Sequence, residues 1–172
     1  MIKILTTIAA CAVLCGSLAV VPHANATQMK VATAAQLATP MKTDELFDLY
    51  HNRSWIWNDG SGYFSSKNRR FIASTGRGQT ASYAEGRWFL TDPGKLCFKA
   101  DWHTAKGAAP ALTCFSHREK GGTVYQRREP DGQWYVFKNA AAKTATEYSK
   151  VRRGDYVSAR FNEVEARLSS SK

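Results

Sequence analysis

Three turn signals, each set between aromatic runs, constrain this chain more than any other feature in it. Asp59-Gly60 leads to Tyr63-Phe64, Asp92-Pro93-Gly94 leads to Cys97-Phe98, and Pro130-Asp131-Gly132 leads to Trp134-Tyr135. Asp bonds its own backbone, Pro presets φ and Gly accepts positive φ, so such clusters between aromatic or β-branched runs mark hairpins. From Arg53 to Lys138 the pattern predicts strands near 53–58, 62–66, 70–75, 80–90, 95–102, 111–118, 122–128 and 133–138. The turn spacings differ, so this is a repeated device and not a solenoid repeat. Successive hairpins make an antiparallel meander whose edges must be closed or covered. The expected fold is mainly β, a small antiparallel meander barrel or curled sheet of lipocalin-like form, with a short helix at each end.

The helices read from periodicity. "TDELFDLYHN" sets Leu46, Leu49 and Tyr50 at helical spacing, with Thr43 as N-cap and acids in the first turn. "VSARFNEVEARLSSSK" repeats Val157, Phe161, Val164 and Leu168 at steps of four, three and four, an amphipathic stripe. That stripe is expected to cover an open barrel end or an edge.

The chain begins with Lys3, an apolar run from Ile4 to Val21, and "HANA", in which Ala24 and Ala26 form an A-x-A cleavage pattern. Residues 1–26 therefore read as a signal peptide. A membrane anchor and a lipoprotein box ending at Cys11 are the competing readings. Residues 27–42, Ala/Thr-rich and polar, read as a flexible leader, and 43–172 as a single β-rich domain. The chain is therefore expected to be exported, with no transmembrane span after cleavage. Of the 24 Lys and Arg, only Lys3 leaves with the signal, so 23 remain against 14 Asp and Glu, a net charge of +9. A basic exported protein attracts anionic polymers or lipid head groups. Nucleic acid, which meets exported chains rarely, is not expected.

Cys97 and Cys114 remain after cleavage, an even pair in an oxidising compartment, and are expected to be bridged. No zinc-ligand spacing accompanies them. Placing them opposite each other on neighbouring strands pairs Lys99 with Leu112, Phe98 with Thr113 and Leu96 with Phe115. Leu96, Phe98, Ala100, Trp102 and Phe115 then share one face, and the bridge lies on the other. It closes a loop of about 17 residues, a contribution on the order of 3 kcal/mol in the loop-entropy model. In this register His103 and His117 fall on opposite faces and do not converge, so His103 reads as a surface residue and His117 as a strand-end one.

No nucleophile motif is present. Glu85 in "YAEGRW" is a candidate inward charge paired with an arginine, and the rival to that reading is a general acid. "STGRGQT" places two glycines around Arg77, a candidate anion nest competing with a plain hairpin loop. Basic doublets recur at Arg69-Arg70, Arg127-Arg128 and Arg152-Arg153. In "RSWIWNDGSGYFSS", Trp55 and Trp57 share one strand face with Arg53, opposite Ile56, and read as barrel core or lining. The tryptophans, at 55, 57, 88, 102 and 134, all fall in expected strands. Candidate ligand-binding residues are Trp55, Trp57, Tyr63, Arg69, Arg70, Arg127 and Arg128.

"LFDLYHNRSWIWNDGSGYF", "YAEGRWFLTDPGKLCF", "CFSHR" and "YQRREPDGQWYVFK" together resemble an uncharacterised proteobacterial exported family, domain of unknown function 995, over roughly residues 43–157. The resemblance implies an exported protein of a Gram-negative, alphaproteobacterial cell. It brings no catalytic residues, no cofactor and no metal. The functional expectation is a periplasmic, non-catalytic binding module that supports cell-envelope integrity through an anionic glycan or lipid head group. The alternatives are a lipocalin-like carrier of a small apolar ligand, and a hydrolase of envelope polymers using Glu85 or a turn aspartate.

Overall fold

The computed structural model describes residues 26–139 and 145–170; the signal peptide reading, with Cys11, falls almost wholly on residues outside them. Its elements are α1 (Ala26–Gln36), β1 (Thr39–Pro40), α2 (Thr43–Tyr50), β2 (Arg53–Ile56), β3 (Gly60–Phe64), β4 (Arg70–Thr75), β5 (Ser82–Thr91), β6 (Lys95–Thr104), β7 (Gly107–Lys120), β8 (Thr123–Arg128), β9 (Tyr135–Asn139), β10 (Val151–Arg153) and α3 (Ser158–Ser169). One antiparallel sheet runs β10-β2-β3-β4-β5-β6-β7-β8-β9, and β1 pairs with β7. It curls into a half-barrel. A 3-10 turn, Glu147–Lys150, stands between the edge strands, where the Tyr148 ring packs on Phe137 and lies under Arg53 and Lys138.

Alternation builds the interior. Trp55, Phe64, Phe71, Ala73, Ala84, Trp88, Leu96, Ala100 and Phe137 are buried in one cluster, with Leu46, Leu49 and Tyr50 of α2 closing it. Each fully buried large apolar side chain contributes about 1.5–3 kcal/mol. The glycines of "NDGSGYF" make room for an indole. A Cβ on Gly60 would stand 2.6 Å from Trp57 Nε1, and one on Gly62 would stand 2.8 Å from the Phe71 ring and 3.3 Å from Trp57. Trp55 is buried and Trp57 packs partly buried on the cluster, so the pair belongs to the core lining.

The cysteine hairpin has the expected register. Cys97 pairs with Cys114, Lys99 with Leu112, Phe98 with Thr113 and Leu96 with Phe115. The disulfide joins Cys97 and Cys114, and their Cα atoms stand 4.1 Å apart.

Several details differ from expectation, among them β1 and β10, which the sequence pattern does not place. Residues 26–36 are helical and dock on the sheet. Their Ala, Gln, Lys and Met content favours helix, Arg118 Nη1 donates to the carbonyls of Ala35, Gln36 and Ala38, and Gln28 donates to Trp134 O at 2.8 Å. The N-cap position of α2 is Lys42, not Thr43, and its N–H donates to the Glu45 carboxylate at 2.7 Å. Helix α3 buries Phe161, Val164 and Leu168, with Val157 just before it, as the stripe predicts. It lies on the outer face of β4 and β5, against Ile72, Ala81 and Tyr83, and covers neither an end nor an edge. Trp57 follows β2 and Trp134 precedes β9, and neither is a strand residue.

Asp155 starts α3. Its Oδ1 accepts the N–H groups of Val157 and Ser158, each at 2.9 Å, and its Oδ2 accepts the Ser158 hydroxyl. Burial pushes this carboxyl up, but those bonds and nearby Arg70 hold it below the usual range.

Candidate functional site

Adjacent residues of a strand point to opposite faces, and this decides what the basic doublets do. Arg70 faces outward, where Nε and Nη2 both meet Glu85 Oε1 at 2.9 Å. Arg69, in the turn before it at φ 51°, sends its guanidinium to 4.4 Å from both the Phe47 and Trp88 ring centroids. Arg127 bonds Glu129 at 3.2 Å and lies over Trp134, whereas Arg128, in register with Phe115, falls on the other side of β8. Tyr63 packs against the α3 cluster. Tyr63 and Arg70 meet at one pocket with Asp155, and Trp55 and Trp57 share the core lining, but the seven candidate residues do not form one site.

Glu85 corrects another expectation. Gly86, in register with the inward residues Phe71 and Ala100, takes the inner position, and Glu85 faces solvent. It does pair with an arginine, but on the surface. The amides around Arg77 are engaged: Gly76 N–H donates to Asp59 O of the β2–β3 turn, Thr80 N–H to Arg77 O and Ala81 N–H to Gly78 O. The loop is a closed turn and not a nest.

His103 stacks on Tyr83 at 4.5 Å with the planes nearly parallel. His117 lies elsewhere, within β7 and not at its end, wholly buried. The chain of bonds around it is complete. Tyr135 O–H donates to Gln126 Oε1, Gln126 N–H to Tyr50 Oη at 2.7 Å, Tyr50 O–H to His117 Nε2 at 2.7 Å, and His117 Nδ1–H to Phe115 O at 3.1 Å. The ring is neutral in this arrangement. Burial holds its pKa down to about 3, against a smaller upward pull from the carbonyls of Gly94 and Phe115. Such a network fixes the core and leaves His117 no open valence for chemistry.

The sheet register assembles a different group on the outer face. Arg70 of β4 stands opposite Arg87 of β5, which stands opposite Lys99 of β6, which stands opposite Leu112 of β7. Arg70, Arg87 and Lys99 are all exposed. Among the described residues, only Arg70 of the three makes an ion pair. Directly opposed like charges destabilise a sheet, so this row works against the fold it sits on. The neighbouring row holds Glu85 opposite Asp101, and on the other side Phe89 stands opposite Cys97 and hence the bridge to Cys114. Where β5 meets α2, Thr43, Asp44, Phe47, Arg69, Phe89 and Leu90 line an open pocket of about 540 Å³. Sequence reading missed Arg87 and Lys99. The signal was present, because reflection about Pro93 pairs position 87 with 99.

Fold and surface together define a small curled-sheet protein whose interior is filled core and whose outer face carries a cross-strand row of three cations, one of them paired with a carboxylate. Residues 13–157 match the sequence profile of the family described as Protein of unknown function (DUF995), and the chain belongs to that family. No curated protein and no solved structure matches it.

Proposed function

We propose that this protein is a non-catalytic binding module of the periplasm that supports the cell envelope by engaging an anionic glycan or lipid head group through the outer face of β4–β6. The observation that carries the reading is the cross-strand row Arg70–Arg87–Lys99, three cations of which only one has a carboxylate partner among the described residues. An anionic ligand laid along the row relieves the mutual repulsion and adds charge-assisted hydrogen bonds. The sequence's net charge of +10 favours encounter with such a ligand. A carrier role gains less support, because aromatic rings fill the interior where a lipocalin ligand would sit.

The test measures binding of polygalacturonate and of phosphatidylglycerol vesicles at low and at elevated salt. We expect binding that weakens steeply with salt and falls at least tenfold in Arg87→Glu/Lys99→Glu. Binding of neither probe, or equal binding by the charge-reversed variant, overturns the reading. Glu85 opposite Asp101, a pair of carboxylates in register, supports a hydrolase as the second reading. Turnover of an envelope polymer that disappears in Glu85→Gln with the fold intact would establish it.

A further inference from the structure

Helices cover much of the outer surface, but not all of it. Helix α3 packs over β4 and the start of β5, and α1 packs against β7 and β9. The outer face of the second half of β5, of β6 and of the first half of β7 lies between them. Phe89, 39% exposed, and Leu112, 62% exposed, project there. Both belong to the small set of large apolar side chains left exposed among the described residues. They sit diagonally across β6, two strands and two residues apart, which places their Cα atoms about 12 Å from each other by ordinary sheet spacing.

The surroundings of these two side chains are specific. Phe89 is in register with Cys97, and Cys97 is bridged to Cys114, so the disulfide ties together the hairpin that carries Leu112. Arg87 and Lys99 flank the pair in the next row, with Leu112 at the row's end. Lys95 follows on the opposite side, two residues along β6 from Cys97. Arg69 lines the pocket beside Phe89. Apolar side chains projecting from a rigid sheet beside Arg87, Lys99, Lys95 and Arg69, with the carboxylates of Asp44, Glu85 and Asp101 at the margins, match a bilayer interface, which presents anionic head groups above acyl chains. A hydrated glycan chain calls instead for flat ring surfaces edged with hydrogen-bonding groups.

From this placement we propose that the outer face of β5–β7 docks on an anionic lipid bilayer, with Phe89 and Leu112 entering the head-group layer and Arg87 and Lys99 contacting lipid phosphates. The inference rests on the anionic-partner reading above and commits it to lipid over glycan.

The experiment is flotation of the full mature chain with vesicles one-quarter phosphatidylglycerol in phosphatidylcholine, with pure phosphatidylcholine vesicles and soluble polygalacturonate as the other probes. The chain binds the anionic vesicles and not the neutral ones. Phe89→Ser/Leu112→Ser loses vesicle affinity at least tenfold more than it loses polygalacturonate affinity, and far-ultraviolet circular dichroism checks that it stays folded. Phe89→Trp keeps binding, and its added emission shifts to the blue on anionic vesicles only. Equal vesicle binding by the double Ser variant, or no emission shift, overturns the proposal. Binding of polygalacturonate without vesicle binding overturns it while leaving the anionic-partner reading in place. Binding of neither probe removes both.

Discussion

On β5 the inward residues Ala84, Gly86, Trp88 and Leu90 meet a filled interior, whereas the outward residues Glu85, Arg87 and Phe89 meet solvent. The two sets alternate along one strand and share one backbone. Inside, Trp88 Nε1–H donates to Ser65 O at 2.7 Å, the Tyr50–His117–Gln126 network closes on itself, and the buried Arg53 Nε and Arg69 Nη1, which have no hydrogen-bond partner, belong to guanidinium groups that lie over aromatic rings. Outside, Arg87 and Lys99 face each other without a carboxylate partner among the described residues, and Phe89 projects beside them. Interior positions are arranged for stability. The outer row opposes like charges, which disfavours the fold, and such local conflicts are expected at functional sites.

The largest test of this contrast compares neighbours. Trp88 is wholly buried, with its ring 5.9 Å from both Phe47 and Phe64. Trp88→Ala leaves a cavity there and orphans the Ser65 carbonyl, a loss of about 3–5 kcal/mol. Phe89→Ala, one residue on, removes a ring that is 39% exposed and should cost about 1 kcal/mol, well below the loss at Trp88. Urea midpoints decide, and similar losses at the two positions would break the division between the faces.

The same alternation explains what the sequence disclosed. The Cys97–Cys114 register was legible because both strands carry a clear apolar face, and a slip of one residue would turn Leu96 and Phe98 outward. Strands β2 to β9 were legible for the same reason. Strand β5 was not so clear, because it carries Tyr83 and Phe89 on one face and Trp88 on the other, which leaves the direction of Glu85 open. The role of His117 depends on Tyr50, 67 positions away, and on Gln126, partners that no local pattern announces. Helix α1 depends in part on Arg118, 80 to 83 positions from the carbonyls it holds. The seven candidate ligand residues were chosen by type and adjacency, and strand geometry divides adjacent residues between faces.

A second test uses pH to load the interior alone. The folded-state pKa of His117 is lowered to about 3 from 6.5, so the unfolded chain binds the extra proton first. Stability is full above the unfolded value and falls as pH drops from about 6.5 toward 3, with a loss on the order of 2 kcal/mol at pH 5. The carboxylates held low, Asp155 and Glu129, lose their contribution only at lower pH, so the interval from pH 7 to pH 5 isolates the histidine. His117→Gln should be less stable at pH 7 and should lack this slope. An unchanged slope in that variant would place the titrating group elsewhere.

The smallest effect concerns the outer row, and its sign carries the information. Arg87 stands directly between Arg70 and Lys99. Replacing it with Gln keeps a long polar side chain and removes both like-charge contacts, so Arg87→Gln should gain about 0.2–1 kcal/mol at low salt. Because the three side chains are exposed, added salt screens the repulsion, and the gain should shrink toward zero as ionic strength rises. The same substitution should weaken binding to phosphatidylglycerol vesicles, so stability and binding move in opposite directions at one residue. Paired urea titrations at low and high salt provide the measurement. A loss of stability at low salt would show that Arg87 is already compensated within the fold, and the outer row would then be ordinary solvated surface.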